Sequence, residues 1–333
     1  MAGTEHRVAI VGAGVAGLAC AGRLREAGAA VSLFDKGRGP GGRCATRRAG
    51  AFAFDHGAQY FTGSDERFRR SLASAEAAGF AMPWQQAPAT LPASGGAARE
   101  DAGGRWIGVP GMNGLARHLG QGLQVRANTR IVALEREGSR WRLRAEDGPI
   151  AGTFDGVVVA VPAPQAVPLL APAPALAARA QAAVLAPCWA LMLAFAEPLP
   201  TAVAAAFVGT GRLSWVCHDG GKPGRAAAGG TPPSTWVAHA SPAWSRDHLE
   251  ADPAEVAPAL LEAFAEALGL EVPPPVHLAA HRWRFAKVEA ALGERCLYEP
   301  GLGIGACGDW CLGPRVEAAF LSGLAMAERV LAG

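Results

Sequence analysis

Arg7-Val8-Ala9-Ile10-Val11-Gly12-Ala13-Gly14-Val15-Ala16-Gly17 is a short apolar run feeding a glycine triplet. A helical pattern continues from Gly14 to Ala27 and stops at Gly28, and Val31–Phe34 then reads as a second buried strand ending at Asp35. Strand, turn, helix and strand in this order make a parallel, doubly wound unit. The glycines have separate tasks. Gly12 permits the tight turn, Gly14 lets backbone approach a pyrophosphate, and Gly17 lets the helix pack on the strand. The helix N-terminus attracts phosphate, and Asp35, 18 residues beyond Gly17, can accept from a ribose hydroxyl. The spacing predicts a dinucleotide site.

Around this unit, 333 residues suggest two domains, and 50% hydrophobic against 18% charged residues supports a sizeable core. A net charge of +2 gives no whole-protein field for nucleic acid or anionic membrane. Seven scattered cysteines without a C-x-x-C pair point to a reducing cytoplasm. His277 and His281 stand four apart with no second pair nearby, so no metal site is expected. Val8–Gly22 is apolar but belongs to the glycine unit. Ala182–Ala196 is broken by Pro187 and falls short of the roughly 20 residues of a membrane span, so a soluble protein is expected.

Downstream, helices are predicted over Ser64–Ala78, from Asn113 to Leu119, and over Ala175–Ala183, Pro253–Gly269 and Arg315–Leu331. Strands are predicted at Gln124–Leu134, Ser139–Ala145, Phe154–Val161 (stopped by Pro162 and Pro164), Leu191–Phe195, Leu213–His218, Thr235–Ala240, His277–Trp283 and Gly303–Cys307. Gly79–Gly104 and Gly220–Pro233 read as irregular connections. Of 43 glycines, 13 fall in residues 1–63 and 7 in residues 301–333, which assigns the site jointly to the two ends of the chain.

A second segment specifies the ligand. Asp35 is followed by Lys36-Gly37-Arg38-Gly39-Pro40-Gly41-Gly42-Arg43, by Thr46-Arg47-Arg48, and by Phe54-Asp55-His56-Gly57-Ala58-Gln59-Tyr60-Phe61. Near the other end stand Gly308-Asp309-Trp310-Cys311 and Arg315-Val316-Glu317-Ala318-Ala319. The acid with a basic GG-R loop resembles the FAD-binding segment of the flavin amine oxidase superfamily, and the longer strings resemble its bacterial renalase-type flavoproteins. Gly108–Leu115, Trp236–Ser245 and His281-Arg282-Trp283 are also similar, so the resemblance spans almost the whole chain. The fold class expected is α/β, with a Rossmann-type FAD-binding domain over 1–65, 105–165 and 285–333. An interleaved substrate domain over 66–104 and 166–284 is expected on a largely antiparallel sheet plus helices.

The resemblance implies non-covalent FAD, held at the glycine turn by Gly12, Gly14, Ala16, Gly17 and Asp35. The basic loop adds Lys36, Arg38, Gly42, Arg43 and Thr46, and the next segment His56, Gly57 and Ala58. It also implies Met112, Ile131 and Val132, and from the closing motif Gly308, Asp309, Arg315, Val316, Glu317 and Ala319. Arg43 can reach phosphate or flavin as a cationic fork, although a solvated basic loop also accounts for Arg38, Arg43, Arg47 and Arg48. Gly308-Asp309 would set a carboxylate near the ribityl hydroxyls, and the helix start at Arg315–Glu317 would face the flavin's pyrimidine edge. Cys44, beside three arginines, is a candidate for a lowered pKa.

A renalase-type activity implies an FAD-dependent oxidase acting on 2- or 6-dihydro isomers of NAD(P)H, with O2 as electron acceptor and β-NAD(P)+ and hydrogen peroxide as products. Such a ring becomes an aromatic pyridinium on losing hydride, so no general base is needed. Gln59, Tyr60, His239, Trp283 and Trp215 are the candidate substrate liners, offering aromatic faces and carboxamide partners. Trp215, Trp236, Trp244, Trp283 and Trp310 equally suit core aromatics, and His239 and His281 suit core positions on strands. Two other readings stay open: an amine oxidase acting on a small amine, and a flavin-binding redox sensor without turnover. For an amine oxidase, Lys287 is the candidate lysine among Lys36, Lys222 and Lys287, because Lys222 falls in a Gly/Pro loop, and Cys311 is a possible covalent attachment point.

Overall fold

The computed structural model describes residues 6–92, 104–225 and 234–333. Strand β1 (Arg7–Val11) turns through the glycines into helix α1 (Val15–Glu26) and returns along strand β2 (Ala30–Phe34). Helix α2 (Glu66–Ala77) starts at Asp65, whose carboxylate accepts from the Arg67 N–H at 2.8 Å. The stretch 79–104 is not wholly irregular: it carries strands Ala81–Pro83 and β3 (Ala89–Leu91), while 93–103 lie outside the described residues. Strands β4 (Val125–Arg126) and β5 (Gly156–Val159) follow. Regular structure does not stop at the two prolines. Pro162 is the N-cap of helix α3 (Ala163–Leu169), where a fixed φ and a missing N–H suit the first turn, and helix α4 (Pro174–Gln181) comes next.

Strand β6 (Val184–Phe195) is far longer than Leu191–Phe195. Its pairing slips between Ala186 and Cys188, so Pro187 sits at an irregularity that needs no ladder N–H. Strands β7 (Ala205–Val208), β8 (Leu213–His218) and β9 (Ser234–Ala240) continue the sheet. The loop read as Gly220–Pro233 is described only to residue 225. Helix α5 (Pro253–Leu268) is capped by Asp252 and covers one face of this sheet. Strand β10 (His277–Ala290) passes the expected end at Trp283 because it pairs along almost the whole of β6. Strands β11 (Leu297–Glu299) and β12 (Ile304–Ala306) lead to the closing helix α6 (Val316–Leu331).

Two six-stranded sheets result. The first has the order β11-β12-β5-β1-β2-β4, parallel apart from β11 at its edge, and is the Rossmann-type sheet. Its central strand β5 (GVVV) is buried throughout, as a parallel strand covered on both faces must be. The second has the order β10-β6-β9-β8-β7-β3 and is antiparallel except where β3 joins β7. Strands β3 and β6–β9 fall within 66–104 and 166–284, but β10 runs past 284. Residues of α3 and α4 share a core with the first sheet, their buried Ala166, Leu169 and Leu176 grouping with Val157, Val159 and Ile304, and Val288 of β10 joins the same core.

Candidate functional site

A cavity of about 2710 Å³ opens between the sheets. Drug-sized pockets hold roughly 300–1,000 Å³, so this one has room for a dinucleotide and a second ligand. Its first wall is the glycine turn. Gly12 has φ +107°, and a Cβ there would lie 2.5 Å from the Ala160 carbonyl oxygen. Gly14 caps α1 with no side-chain hydrogen bond and no acid in the first turn, so the helix start offers its N–H groups to the cavity. A Cβ on Gly14 would meet nothing within 4 Å, whereas one on Gly17 would sit 2.0 Å from the Gly12 carbonyl oxygen. Gly17 is thus a packing residue, and it does not line the cavity. The Asp35 carboxylate accepts from the Ala13 and Gly37 N–H groups, each at 2.6 Å, and so holds the turn to the basic loop.

Sequence-predicted cofactor residues converge on this wall. Gly12, Gly14, Ala16, Asp35, Lys36, Arg38, Gly42, Arg43, Thr46, His56, Gly57, Ala58, Ile131, Val132, Gly308, Asp309, Arg315, Val316 and Ala319 all line the cavity. Met112 and Glu317 do not. Met112 is buried in the core, its N–H donating to Asp55 Oδ1 at 2.8 Å. The Glu317 carboxylate accepts from the Ser64 and Asp65 N–H groups at 2.5 and 2.6 Å, tying the entry of α2 to the first turn of α6. Arg43 also departs from expectation: its fork lies on Asp309, with Nη1–Oδ2 at 2.8 Å and Nη2–Oδ1 at 2.6 Å, so the GG-R loop is bound to the closing motif. Cys44 is buried, and burial pushes its thiol up to about 12 despite Arg43, against the lowered value expected from the sequence. Cys311 is also buried in the core and does not line the cavity.

The second wall comes from the antiparallel sheet. Phe207, Trp215, His239, Ala190 and His281 occupy one register row across β7, β8, β9, β6 and β10. Directly paired residues share a face, so this row forms a largely aromatic surface. All five predicted liners, Gln59, Tyr60, His239, Trp283 and Trp215, reach the cavity. Tyr60 lies 5.9 Å from Trp215 between ring centroids. The His56 carbonyl accepts from Trp283 Nε1 at 2.9 Å and from His239 Nε2 at 3.2 Å, and the His56 ring lies 4.9 Å from that of Trp283. His56 Nδ1 is buried without a partner.

Burial depresses the three histidines. His56 falls to about 3, with His281 and Arg47 adding to the effect; His239 and His281 each fall to about 4. In the unfolded chain each titrates near 6.5, so that state binds more protons on acidification. The neutral rings' contribution to stability is full above pH 6.5 and is lost as pH falls toward 4. Between pH 7 and 5 we expect His56 and His239 to cost up to about 2 kcal/mol each, a drop of about 5–10 °C in Tm. Calorimetry at the two pH values checks this, and His56→Gln should flatten the dependence.

Behind the segment 55–59 lies a feature that sequence reading missed. Asp55, Asp219, Lys222 and Arg225 form a buried cluster of two acids and two bases, none more than 7% exposed at its side chain. Lys222 Nζ is 2.8 Å from Asp219 Oδ1, 3.7 Å from Asp55 Oδ2 and 3.3 Å from Gln59 Oε1. Asp55 is paired with Arg225 and accepts from Thr46 Oγ1 at 2.7 Å, and its N–H donates to Asp219 Oδ2 at 2.9 Å. Burial acts to raise the Asp55 carboxyl, but Lys222 and Arg225 bring it below the usual range; burial raises Asp219. Burial likewise acts to lower Lys222, yet Asp219 keeps it above its ordinary value. Lys222 is therefore not a surface loop lysine, whereas Lys287, singled out from the sequence, is exposed on the cavity wall, as is Lys36. Only the spacing Asp219-x-x-Lys222-x-x-Arg225 could have signalled the cluster.

The comparisons agree with this geometry. Residues 10–75 match the NAD(P)-binding Rossmann-like domain, and residues 96–331 match the flavin containing amine oxidoreductase family. The chain belongs to the flavin-containing amine oxidoreductases. As a flavin-containing amine oxidoreductase it is an FAD-dependent oxidoreductase, and the open space over Gly14 with the uncapped start of α1 fits the cofactor's phosphates. A protein from an Exiguobacterium species, provisionally assigned as a protoporphyrinogen oxidase, superposes with TM-score 0.77 at 15% identity, covering 99% of this chain and 100% of that one. A putrescine oxidase variant redesigned in cofactor binding gives TM-score 0.73 at 15% identity, covering 98% and 99%. These likenesses are of fold. The zeta-carotene-forming phytoene desaturase of Myxococcus xanthus is 49% identical over 52 residues, so the chain spans 10% of that enzyme's length and the match 16% of this chain. Among the described residues no group of three His, Cys, Asp or Glu side chains could hold a metal, and no helix is long and apolar enough to cross a membrane.

Proposed function

We propose that this flavin-containing amine oxidoreductase is a renalase-like oxidase: it takes a hydride from 2- or 6-dihydro isomers of NAD(P)H and passes the electron pair to O2. Each turnover consumes one proton and yields β-NAD(P)+ and hydrogen peroxide. One observation carries the choice. Twelve arginine and lysine side chains line the cavity against three aspartates, although the whole chain is nearly neutral. Of the three, Asp35 is held by backbone N–H groups, Asp219 by Lys222 and Asp309 by Arg43. Such a cavity attracts a second anionic dinucleotide and disfavours a protonated amine.

The bound flavin supplies the hydride acceptor and the route to oxygen. Gly12, Gly14, Asp35 and the basic loop would hold it, and the Trp215–His239 row with Tyr60 and Trp283 would hold the dihydropyridine flat. The buried histidines stay neutral at pH 7 and are too weakly basic for efficient proton abstraction, which suits a substrate that gives up hydride without a proton. The protein is expected to act in the cytoplasm. The test is anaerobic mixing of the holoprotein with 2-dihydro- and 6-dihydro-NAD(P), with 4-dihydro-NAD(P)H and with small amines, following the flavin's visible absorbance. Bleaching about a hundredfold faster by the 2- or 6-isomers than by the others is expected; bleaching by amines alone overturns the proposal.

A further inference from the structure

We infer that Lys222 is a positioning residue for the substrate-facing wall, acting through Gln59, with Asp219 as its counter-charge. The inference rests on the reading that this half of the cavity receives the reductant. Gln59 Nε2 donates to the Asp55 carbonyl and, at 3.1 Å, to the Gly57 carbonyl, which pins the turn carrying His56. Those two bonds require the amide nitrogen to face the backbone, and the Lys222 ammonium against Oε1 enforces that orientation. A flipped amide would set Oε1 against two carbonyl oxygens and its NH2 group against a cation. Downstream of the same turn, the Ala58 N–H donates to the Arg43 carbonyl at 2.9 Å, and the His56 carbonyl is the acceptor for His239 and Trp283. One lysine thus sets the register of the aromatic wall without lining the cavity itself.

Burying four charges costs more than an apolar filling of the same space, so the cluster is expensive unless it fixes a geometry. Arg225 shows the same use of charge: it pairs with Asp55 and donates through Nη1 to the Gly108 carbonyl at 2.7 Å. Asp219 takes the Asp55 N–H through its other oxygen, so the short 219–225 segment grips the start of the turn at two points.

The experiment compares holoprotein of the wild type, Lys222→Met, and Lys222→Met combined with Asp219→Asn. The single variant should lose thermal stability, because a buried carboxylate is left without its ammonium; the double variant should regain most of it. Hydrogen exchange of the peptide spanning 55–60 should remain about tenfold faster in the double variant than in the wild type. KM for the 6-dihydro isomer should rise about tenfold with kcat within about threefold, and Gln59→Leu added to the double variant should add little further. If the double variant recovers stability, slow exchange and wild-type KM together, Lys222 only balances charge and the inference fails. Faster exchange in a protein that no dihydro isomer reduces would leave the positioning role standing and overturn the substrate reading instead.

Discussion

Gly14→Val should purify as a folded but colourless protein, whereas Gly17→Ala should fold with its Tm lowered by about 10 °C. The two glycines are three residues apart in one motif and face opposite directions. A Cβ on Gly14 enters open cavity, with nothing within 4 Å, so the polypeptide has no reason to unfold. The branched side chain then occupies the approach that a pyrophosphate needs to reach the start of α1, and FAD affinity should fall at least about a hundredfold, near 3 kcal/mol. The same addition at Gly17 comes within 2.0 Å of the Gly12 carbonyl oxygen and 3.2 Å of Ala160 Cβ. Relief requires α1 to move off the sheet, against its buried contacts with α6, at a cost of about 3–5 kcal/mol and about 10 °C in Tm. FAD content per chain and apoprotein Tm separate the two effects. A yellow Gly14→Val protein would show that the phosphates bind elsewhere.

Arg43→Met should produce the other large loss. Its bidentate pair with Asp309 spans 266 residues, and Nη1 also donates to the Ala286 carbonyl at 3.1 Å, so three separate segments meet at one guanidinium. Removal leaves the Asp309 carboxylate, only 10% exposed, without its partner on the cavity wall. About 3 kcal/mol of stability and about a hundredfold in FAD affinity should go, measured by thermal melts and by titrating apoprotein with FAD. Arg43→Lys should recover little, since an ammonium cannot make the paired contact. Arg43→Met with Asp309→Asn should recover stability more than FAD binding.

What could be read from the sequence was local. The turn at Gly12–Gly17, the acid at Asp35 and the uncapped helix start are fixed by neighbours in the chain, and the structure places them together. Strand alternation likewise puts His239, Trp283 and Trp215 on definite faces, and all three line the cavity. The partners of Glu317, Met112 and the Arg43 fork could not be read, because Ser64, Asp55 and Asp309 lie 253, 57 and 266 positions away. Lys222 was hidden most completely, since a lysine between glycine and proline has the composition of a solvated loop. Its burial depends on Asp219 and Arg225 three residues to either side and on Asp55 from a distant segment. The length of β6 was obscured by Pro187, which marks an irregularity in the sheet and not its end.

The joining of Arg43 to Asp309 also imposes an order on the making of the protein. During synthesis the glycine turn is made well before its sheet neighbours, so β1 cannot gain β5, nor β5 gain β12, until far more chain has appeared. The nascent Rossmann unit must therefore wait, with a sheet edge uncovered, for β12 and α6 to arrive. A cofactor site that straddles the Arg43–Asp309 junction is then assembled only after both of its distant halves have been made.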